Sequence, residues 1–386
     1  MVLDENLATY LESRPEELRK DKEQGIKIVG YFPGGYVPEE IIYAAGAVPI
    51  CLLEGSRDSA EAALSVVPNV ICPFVRAQIG ERELGSNPYY GLIDMLVAPT
   101  TCQHIKKVTE IWEYRGDLEI FKLGVPHNYA GEIELQYFSE RLRDLKDRLQ
   151  TLTDREITPD KLRESIALYN RLRDLYRNIS LARRAANPVI SAKEFVRLNH
   201  ASFYADPVFM TATLESIYQN LQKASSYSEE SKPRLLLIAP NLAYGDYKIL
   251  DLVADAGGEI VIEEVCEGLR YYWQDIANED DDPILSIAKG YLQDKLPCAF
   301  MRNSAQKRLD FTLRLISDFA VSGVIWYNLL HCETYDEESY LFVKRLEELE
   351  IPILVLESDY GMVDTSQLRI RIDAFIEMVK GEQIYG

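Results

Sequence analysis

The most informative segment of the chain is Ile93-Asp94-Met95-Leu96-Val97-Ala98-Pro99-Thr100-Thr101-Cys102. It predicts an apolar strand that ends at Pro99, with a thiol in the loop that follows. Short apolar runs of the same kind recur at residues 26–32, 47–53 and 120–125, with helical or irregular segments between them. Strands that alternate with helices predict a parallel sheet covered on both faces. The first part of the chain is therefore expected to be a doubly wound α/β unit.

A second α/β unit is predicted further along the chain. After residue 130 the pattern changes to long helical stretches, and a polar stretch at 224–233 is typical of a linker. Beyond it, strand-like runs occur at 234–239, 259–265, 323–330 and 353–357. We predict three parts: an N-terminal α/β domain (1–130), a helical segment that links or covers the sheets (131–231), and a C-terminal α/β domain (232–386). Both α/β domains are expected to contain parallel sheets of the Rossmann or flavodoxin type.

Composition narrows the classes of function. The 386 residues suffice for two or three domains, and the formal net charge is −20, with 62 acidic and 42 basic residues. Such a balance disfavours binding to nucleic acid and to anionic membrane surfaces. No apolar run approaches the roughly 18 residues of a membrane span, and residues 1–22 lack an apolar signal core. We expect a cytoplasmic protein without nucleic-acid or membrane partners.

Familiar catalytic motifs are missing from the sequence. It contains no GxGxxG, no Walker A sequence, no GxSxG, no HExxH and no CxxC pair. The four histidines are too scattered for a histidine-based metal site. The six cysteines, which lack the tight spacing of a disulfide framework, therefore carry the chemical expectations.

Three cysteines stand where apolar runs meet polar residues. Cys72 ends the run 66–71 and precedes Pro73, which favours a helix start, while Cys102 and Cys332 follow strand-like runs. Open α/β sheets bind ligands beyond the carboxyl ends of their strands, so these three thiols are expected to converge. Three thiolates and one vacant position suit an iron–sulfur cluster that also binds a substrate.

The other cysteines carry weaker expectations. An isolated cysteine inside a cell is most often a small buried hydrophobic residue, and Cys51 fits that description. Cys266 and Cys298 are intermediate, and they are expected to line the cleft without binding metal.

Several segments resemble the 2-hydroxyacyl-CoA dehydratase and benzoyl-CoA reductase family, in the expected order along nearly the whole chain. The opening signature is Gly30-Tyr31-Phe32-Pro33-Gly34-Gly35-Tyr36-Val37-Pro38-Glu39-Glu40-Ile41-Ile42-Tyr43-Ala44-Ala45-Gly46-Ala47-Val48-Pro49. Further similar segments are Cys72-Pro73-Phe74-Val75-Arg76, Pro99-Thr100-Thr101-Cys102, Cys266-Glu267-Gly268-Leu269-Arg270, His331-Cys332 and the ending 356–375.

The resemblance implies one [4Fe-4S] cluster held by Cys72, Cys102 and Cys332. It also implies a heterodimer with a homologous cluster-bearing subunit, a separate ATP-hydrolysing activator that donates electrons, and an acyl-CoA substrate. The wording of 32–36 and the chain length resemble the smaller cluster-bearing subunit of a benzoyl-CoA reductase. The alternatives are a subunit of an (R)-2-hydroxyacyl-CoA dehydratase that works through a ketyl radical, and a non-catalytic subunit that relays electrons or serves as a scaffold.

The sequence departs from the family pattern in two places. Gln103 and His104 follow the central cysteine where relatives often have Asp. Relatives with a larger double-cubane cluster have an additional cysteine where this chain has residues 32–35, so that larger cluster is not expected here.

Further residues near these motifs are candidates for the site. The amides of Gly34 and Gly35 are expected either to approach a thioester or phosphate or to form a tight turn. Arg76 is a candidate for the CoA phosphates, as are Lys106, Lys107 and Arg270, although lone basic residues are usually solvated.

Three more side chains are candidates for a catalytic or a structural role at the site. His104 and His331 flank ligand cysteines, and they either donate protons or hydrogen bonds or have a structural role. Tyr244, in the loop after the first strand of the second unit, is expected to reach a ligand in the crevice.

Overall fold

A computed structural model describes residues 5–223, 232–278 and 281–385 of the chain. Within them, two four-stranded parallel sheets are flanked by helices, which confirms the predicted α/β class with two doubly wound sheets. Most of the predicted linker, 224–231, lies outside the described residues.

The first sheet and the helices around it come from the N-terminal part of the chain. Its strands are β1 (Ile28–Tyr31), β2 (Val48–Cys51), β3 (Met95–Pro99) and β4 (Glu119–Leu123). The helices are α1 (Glu5–Glu23), α2 (Glu39–Ala44), α3 (Arg57–Ala62), α4 (Pro73–Leu84), α5 (Gln103–Arg115), α6 (Glu132–Thr153), α7 (Pro159–Ala182), α8 (Ala192–Ser202) and α9 (Pro207–Lys223).

The second sheet follows the same plan. Its strands are β5 (Arg234–Ile238), β6 (Glu259–Glu264), β7 (Gly323–Leu329) and β8 (Ile353–Ser358). The helices are α10 (Lys248–Asp255), α11 (Leu269–Tyr272), α12 (Pro283–Lys289), α13 (Ser304–Asp318), α14 (Glu333–Glu348) and α15 (Thr365–Tyr385). A short π-helical turn, Gly290–Asp294, follows α12.

Strand order gives each sheet a point at which the chain reverses its direction of winding. The orders are β2-β1-β3-β4 and β6-β5-β7-β8, and every neighbouring pair is parallel. At such a point, the loops that follow two adjacent strands separate and leave a crevice. In this protein the two crevices lie beyond β1 and β3 and beyond β5 and β7.

Two sequence-based expectations about helices and strands were wrong. The run 66–71 before Cys72 is not a strand: it has no sheet partner, and Val66 and Val70 are 47% and 56% exposed. Pro68 and Asn69 interrupt the run with turn-forming residues. The acidic run from Asp336 onward predicts a helix start at that residue, but the helix starts at Glu333, directly after Cys332.

The helices between the two sheets pack against elements on both sides. In α7, the Ser165 hydroxyl donates to the carbonyl of Glu40 in α2 at 2.8 Å. The Asn170 amide in the same helix donates to the carbonyl of Ile276 at 2.8 Å. Helix α7 thus contacts both the N-terminal and the C-terminal parts of the chain. The division into three domains stays a prediction.

The two sheets meet at a narrow contact next to Gly55. Glu54 and Tyr244 form an isolated parallel bridge, and the Tyr244 amide donates to the Leu53 carbonyl at 2.8 Å. A Cβ atom on Gly55 would lie 2.2 Å from the Cβ of Ala243 and 2.8 Å from the Cζ of Tyr360. The approach of the two halves therefore requires glycine at this position.

The variant Gly55→Ala tests this contact. We expect it to lower the free energy of unfolding by about 1–3 kcal/mol, because overpacking forces the two halves apart. Gly91→Ala is the matched control: a Cβ atom there meets nothing within 4 Å, so its effect should stay within about 0.5 kcal/mol. Urea unfolding measures both, and equal stability of the two variants would contradict the tight contact.

Candidate functional site

A cavity of about 300 Å³ lies where the carboxyl ends of the two sheets face each other. Residues from the loops after β1, β3, β5 and β7 line it, and these include Gly34, Cys102, Asn241 and Cys332. The site thus occupies both crevices defined by the strand orders. The thiols that line it are those of Cys72, Cys102, Cys266, Cys298 and Cys332.

Each cysteine of the predicted triad immediately precedes a helix. Cys72, Cys102 and Cys332 are the N-cap residues of α4, α5 and α14. Free amides of the first helical turn act on each sulfur and lower the pKa of the thiol, as helix N-termini do for anionic groups. The residues that supply these amides are Phe74 and Val75, His104 and Ile105, and Tyr335.

The effect of burial on the pKa of the three thiols is larger than the opposite effect of these amides. Burial, together with the charge of Cys102, raises the pKa of Cys72 to about 12. Burial also raises the pKa of Cys102 and, more strongly, that of Cys332, on which Cys72 and Cys102 both act. The three sulfurs are thus close enough to influence one another's ionisation, and a bound cation would replace their protons.

The triad fits a cluster better than a single ion. In the described part of the chain, no three His, Cys, Asp or Glu side chains are arranged to share one metal ion. In a [4Fe-4S] cube each thiolate binds a different iron, so the sulfurs stand apart and surround the group. Cys72, Cys102 and Cys332 line one cavity and each precedes a helix start, so these three residues would suit such a cluster.

His104 lies in the cavity, whereas His331 does not line it. The Cys72 amide donates to Nδ1 of His104 at 3.2 Å, which leaves its proton on Nε2. Burial lowers the pKa of His104, and the nearby His331 lowers it further. His331 itself is exposed, with φ of 62°, at the turn before Cys332. The roles of both histidines stay predictions.

The two glycines have different places at the cavity. Gly34 lines it, while Gly35 lines a much smaller cavity directly behind. Both have positive φ, 130° and 76°, as a tight turn requires. Helix α2, which follows at Glu39, has only six residues.

Two other candidate residues lie away from the cavity. Arg76 donates to the carbonyl of Ile71 at 3.0 Å and lines a separate, open pocket with Arg57 and Asp359. Tyr244 packs edge-on against Tyr204, with ring centroids 5.3 Å apart, in the contact between the sheets. A role for either in substrate binding stays a prediction, because neither side chain lines this cavity.

Arg270 departs from the expectation that the basic candidates are solvated. It is fully buried and donates to the Tyr335 hydroxyl at 2.8 Å. Nearby, Arg308 in α13 bonds Glu264 of β6 at 2.9 Å and Glu338 of α14 at 2.8 Å. Removing one member of a buried ion pair typically costs about 3–5 kcal/mol, so this network firmly fixes the start of α14 relative to β6.

Sequence reasoning missed the aromatic wall of the cavity. Phe300 packs edge-on against Tyr36 and His127, with centroids 5.5 and 5.3 Å away, and Phe74 and Tyr335 also line the space. Phe300 follows the irregular stretch after the π-helical turn, where no periodic pattern marks a functional element. The only signal was its place two residues after Cys298.

Cys266 and Cys298 are free thiols that both line the cavity, and a hydrogen bond joins their side chains. The hydrogen bond from Cys266 lowers the pKa of Cys298 well below its usual value, and Arg270 and Arg308 contribute further. The same bond, together with burial, raises the pKa of Cys266. Within the pair, Cys298 is therefore the thiol whose pKa is lowered, and Arg308 acts on it in addition to Arg270.

Comparison with known proteins gives the family. The sequence profile of the 2-hydroxyglutaryl-CoA dehydratase D-component family matches residues 35–379. This chain belongs to that family. Among the described residues, no helix has the length and apolar character to cross a membrane.

Individual relatives cover almost the full chain. An Escherichia coli (strain K12) protein, YjiM, provisionally named a dehydratase subunit, is 27% identical over 93% of both chains. A benzoyl-CoA reductase subunit of Thauera aromatica is 22% identical over 94% of this chain and 93% of its own. The (R)-phenyllactyl-CoA dehydratase beta subunit of Clostridium sporogenes is 20% identical, over 95% and 96%.

Thiol alkylation tests the ionisation pattern of the cavity. In metal-free protein at pH 7.5 under anaerobic conditions, we expect iodoacetamide to modify Cys298 about tenfold or more faster than the three triad thiols, because each unit of pKa changes the thiolate fraction tenfold. Peptide mass spectrometry measures the order. Cys266→Ala removes the hydrogen-bond donor and should slow modification of Cys298, whereas a faster reaction at Cys72 would contradict the assignment.

Proposed function

We propose that this chain is the subunit of an acyl-CoA enzyme that holds one [4Fe-4S] cluster through Cys72, Cys102 and Cys332. The observation that carries the proposal is that these three cysteines, distant in sequence, precede three helices whose first turns face one cavity. Family membership supports it, because the relatives are named as subunits of dehydratases and a reductase that act on CoA thioesters.

The cluster would supply low-potential single electrons and an open iron that accepts an oxygen atom of the substrate. The chain's own groups would do the rest. The helix amides stabilise negative charge on the sulfurs, and His104 holds the Cys72 amide and keeps a proton on Nε2. The aromatic wall, with Phe300 at its centre, excludes water from the acyl group.

We favour reduction of an aromatic acyl-CoA, such as benzoyl-CoA, because an aromatic wall suits a planar ring. Dehydration of an (R)-2-hydroxyacyl-CoA is the second candidate, and the 27% identity to the Escherichia coli relative favours it. An aromatic 2-hydroxyacyl group would suit the same wall. We further propose a cytoplasmic heterodimer with a homologous cluster-bearing subunit, supplied with electrons by an ATP-hydrolysing activator.

Single substitutions at the triad test the cluster. Cys72→Ser, Cys102→Ser or Cys332→Ser should each abolish most of the iron and acid-labile sulfide bound after anaerobic reconstitution, because serine is a poor ligand for this cluster. Cys51→Ala is the matched control, since Cys51 is fully buried outside the cavity, and it should keep the cluster. We expect about four iron atoms per chain. A content near eight, lost in Cys266→Ala and Cys298→Ala, would contradict the single cluster and indicate a larger one.

The reaction is tested in the complete complex with its partner subunit and activator. Benzoyl-CoA and (R)-phenyllactyl-CoA are supplied in separate assays, and products are identified by mass spectrometry. Ring reduction of benzoyl-CoA supports the favoured function, and formation of cinnamoyl-CoA supports dehydration. In parallel, either thioester should change the EPR spectrum of this subunit's reduced cluster. An unchanged spectrum together with turnover would indicate an electron-relay role.

A further inference from the structure

Next to the thiol cavity lies a second, much smaller cavity bordered by two buried carboxylates. It measures about 10 Å³, which is room for about one water molecule. Glu39 and Glu267 both line it, and they are only 3% and 2% exposed. Gly34 and Cys266 line this cavity and the thiol cavity alike, so they form the boundary between the two.

Each carboxylate has one satisfied and one unsatisfied oxygen. Oε1 of Glu39 accepts from the Tyr31 hydroxyl, and Oε1 of Glu267 accepts from the Leu242 amide at 2.8 Å. Oε2 of both residues is buried without a hydrogen-bond partner among the residues that the structure describes. Unsatisfied buried oxygens are costly, so a water or a proton is needed at both.

A chain of polar groups leads from Glu267 towards the surface. Nε2 of His200 lies 3.7 Å from Oε1 of Glu267, and Nδ1 of His200 lies 3.2 Å from the hydroxyl of Tyr247. His200 is fully buried, whereas Tyr247 is partly exposed. The 3.7 Å between His200 and Glu267 exceeds a hydrogen bond, so a water would be needed to connect the small cavity with Tyr247 along this path.

We propose that Glu39 and Glu267, with one water between them, form a proton store that exchanges protons with the thiol cavity past Gly34. The inference rests on the proposed function, because ring reduction adds two protons with two electrons, and dehydration moves a proton from carbon to the departing hydroxyl. Pro33 also lines both cavities, and between it and Cys266 the boundary is open at Gly34, where a Cβ atom would meet nothing within 4 Å.

The transfer balances without moving an electron. The Glu39 O–H bond breaks and its proton joins the enclosed water, which releases a different proton to the base that forms in the thiol cavity. The Glu39 carboxylate then regains a proton through the same water from Glu267. Glu267 would in turn regain a proton from solvent by way of Tyr247, His200 and a water across the 3.7 Å gap between His200 and Glu267.

The surroundings of Glu39 suit this exchange near neutral pH. Burial raises the pKa of Glu39 to about 7, against the lowering effects of the nearby Tyr31 and Tyr271 hydroxyls. The other ionisable groups that face Glu39 are Glu40, Arg173, Cys51, Tyr169, Tyr176, Tyr291 and Lys295. Those that face Glu267, besides His200, are Cys51, Cys266 and Tyr360.

Infrared titration of the metal-free protein tests the store independently of turnover. We expect a protonated-carboxyl C=O band with a midpoint near pH 7 that disappears in Glu39→Gln and whose midpoint shifts in Glu267→Gln. Glu54 is the matched control, because its pKa is also raised by burial to about 7 but it lines neither cavity. Glu54→Gln should remove a separate band and leave that of Glu39 in place. A Glu39 band that is unaffected by Glu267→Gln would overturn the shared store.

Turnover in the complete complex with benzoyl-CoA or (R)-phenyllactyl-CoA provides the second test. Only the protonated form of Glu39 donates, so the wild-type rate should fall as pH rises through about 7. Glu39→Gln should be at least tenfold slower at pH 6.5 and lose this dependence while keeping wild-type iron content, and Glu54→Gln should behave as wild type. Wild-type turnover by Glu39→Gln would overturn the proton store alone. Loss of iron binding by the wild-type chain would instead overturn the proposed function, and the infrared titration would still decide the store.

Discussion

The attraction between free helix amides and sulfur is the interaction on which this site depends. Three helices begin directly after three cysteines, so the first-turn amides of each helix face a thiol. Burial alone would keep these sulfurs protonated, and the amides offset part of that cost. The strand orders then bring the three helix starts to one cavity. The arrangement favours negative sulfur only where a compensating cation is present, and this fits a metal cluster and not free reactive thiols.

Two contacts outside the cavity fix the positions of the elements that border it. Gly55 allows close approach of the two sheets, and the Glu264–Arg308–Glu338 network ties the start of α14 to the end of β6. Ion pairs with such low exposure gain little net stability relative to apolar packing, but they are costly to break. Cys332 and Cys266, which flank these two element ends, are therefore held at fixed positions on the cavity wall.

The sequence predicted the parts of the fold that local patterns encode. Each of the eight observed strands coincides within a few residues with an apolar run of the sequence, because buried parallel strands are continuously apolar. The sequence also predicted that the triad thiols converge, and all three line the cavity, although Cys72 follows an exposed turn and not a strand. By contrast, the aromatic wall around Phe300 and the contact of Glu267 with His200, 67 residues earlier, arise from tertiary packing. Spacing along the chain carries no record of such contacts, and neither helical nor strand periodicity marks those residues.

The origin of the three triad cysteines also bears on biosynthesis. Cys72 and Cys102 emerge from the ribosome more than two hundred residues before Cys332, and the latter belongs to the other sheet. A polypeptide that is still being made can therefore offer at most two of the sulfurs, too few to retain an inorganic group that needs three. The proposed cluster could therefore be inserted only after the segment with Cys332, in the last sixth of the chain, has folded, so its presence would report a completely folded protein.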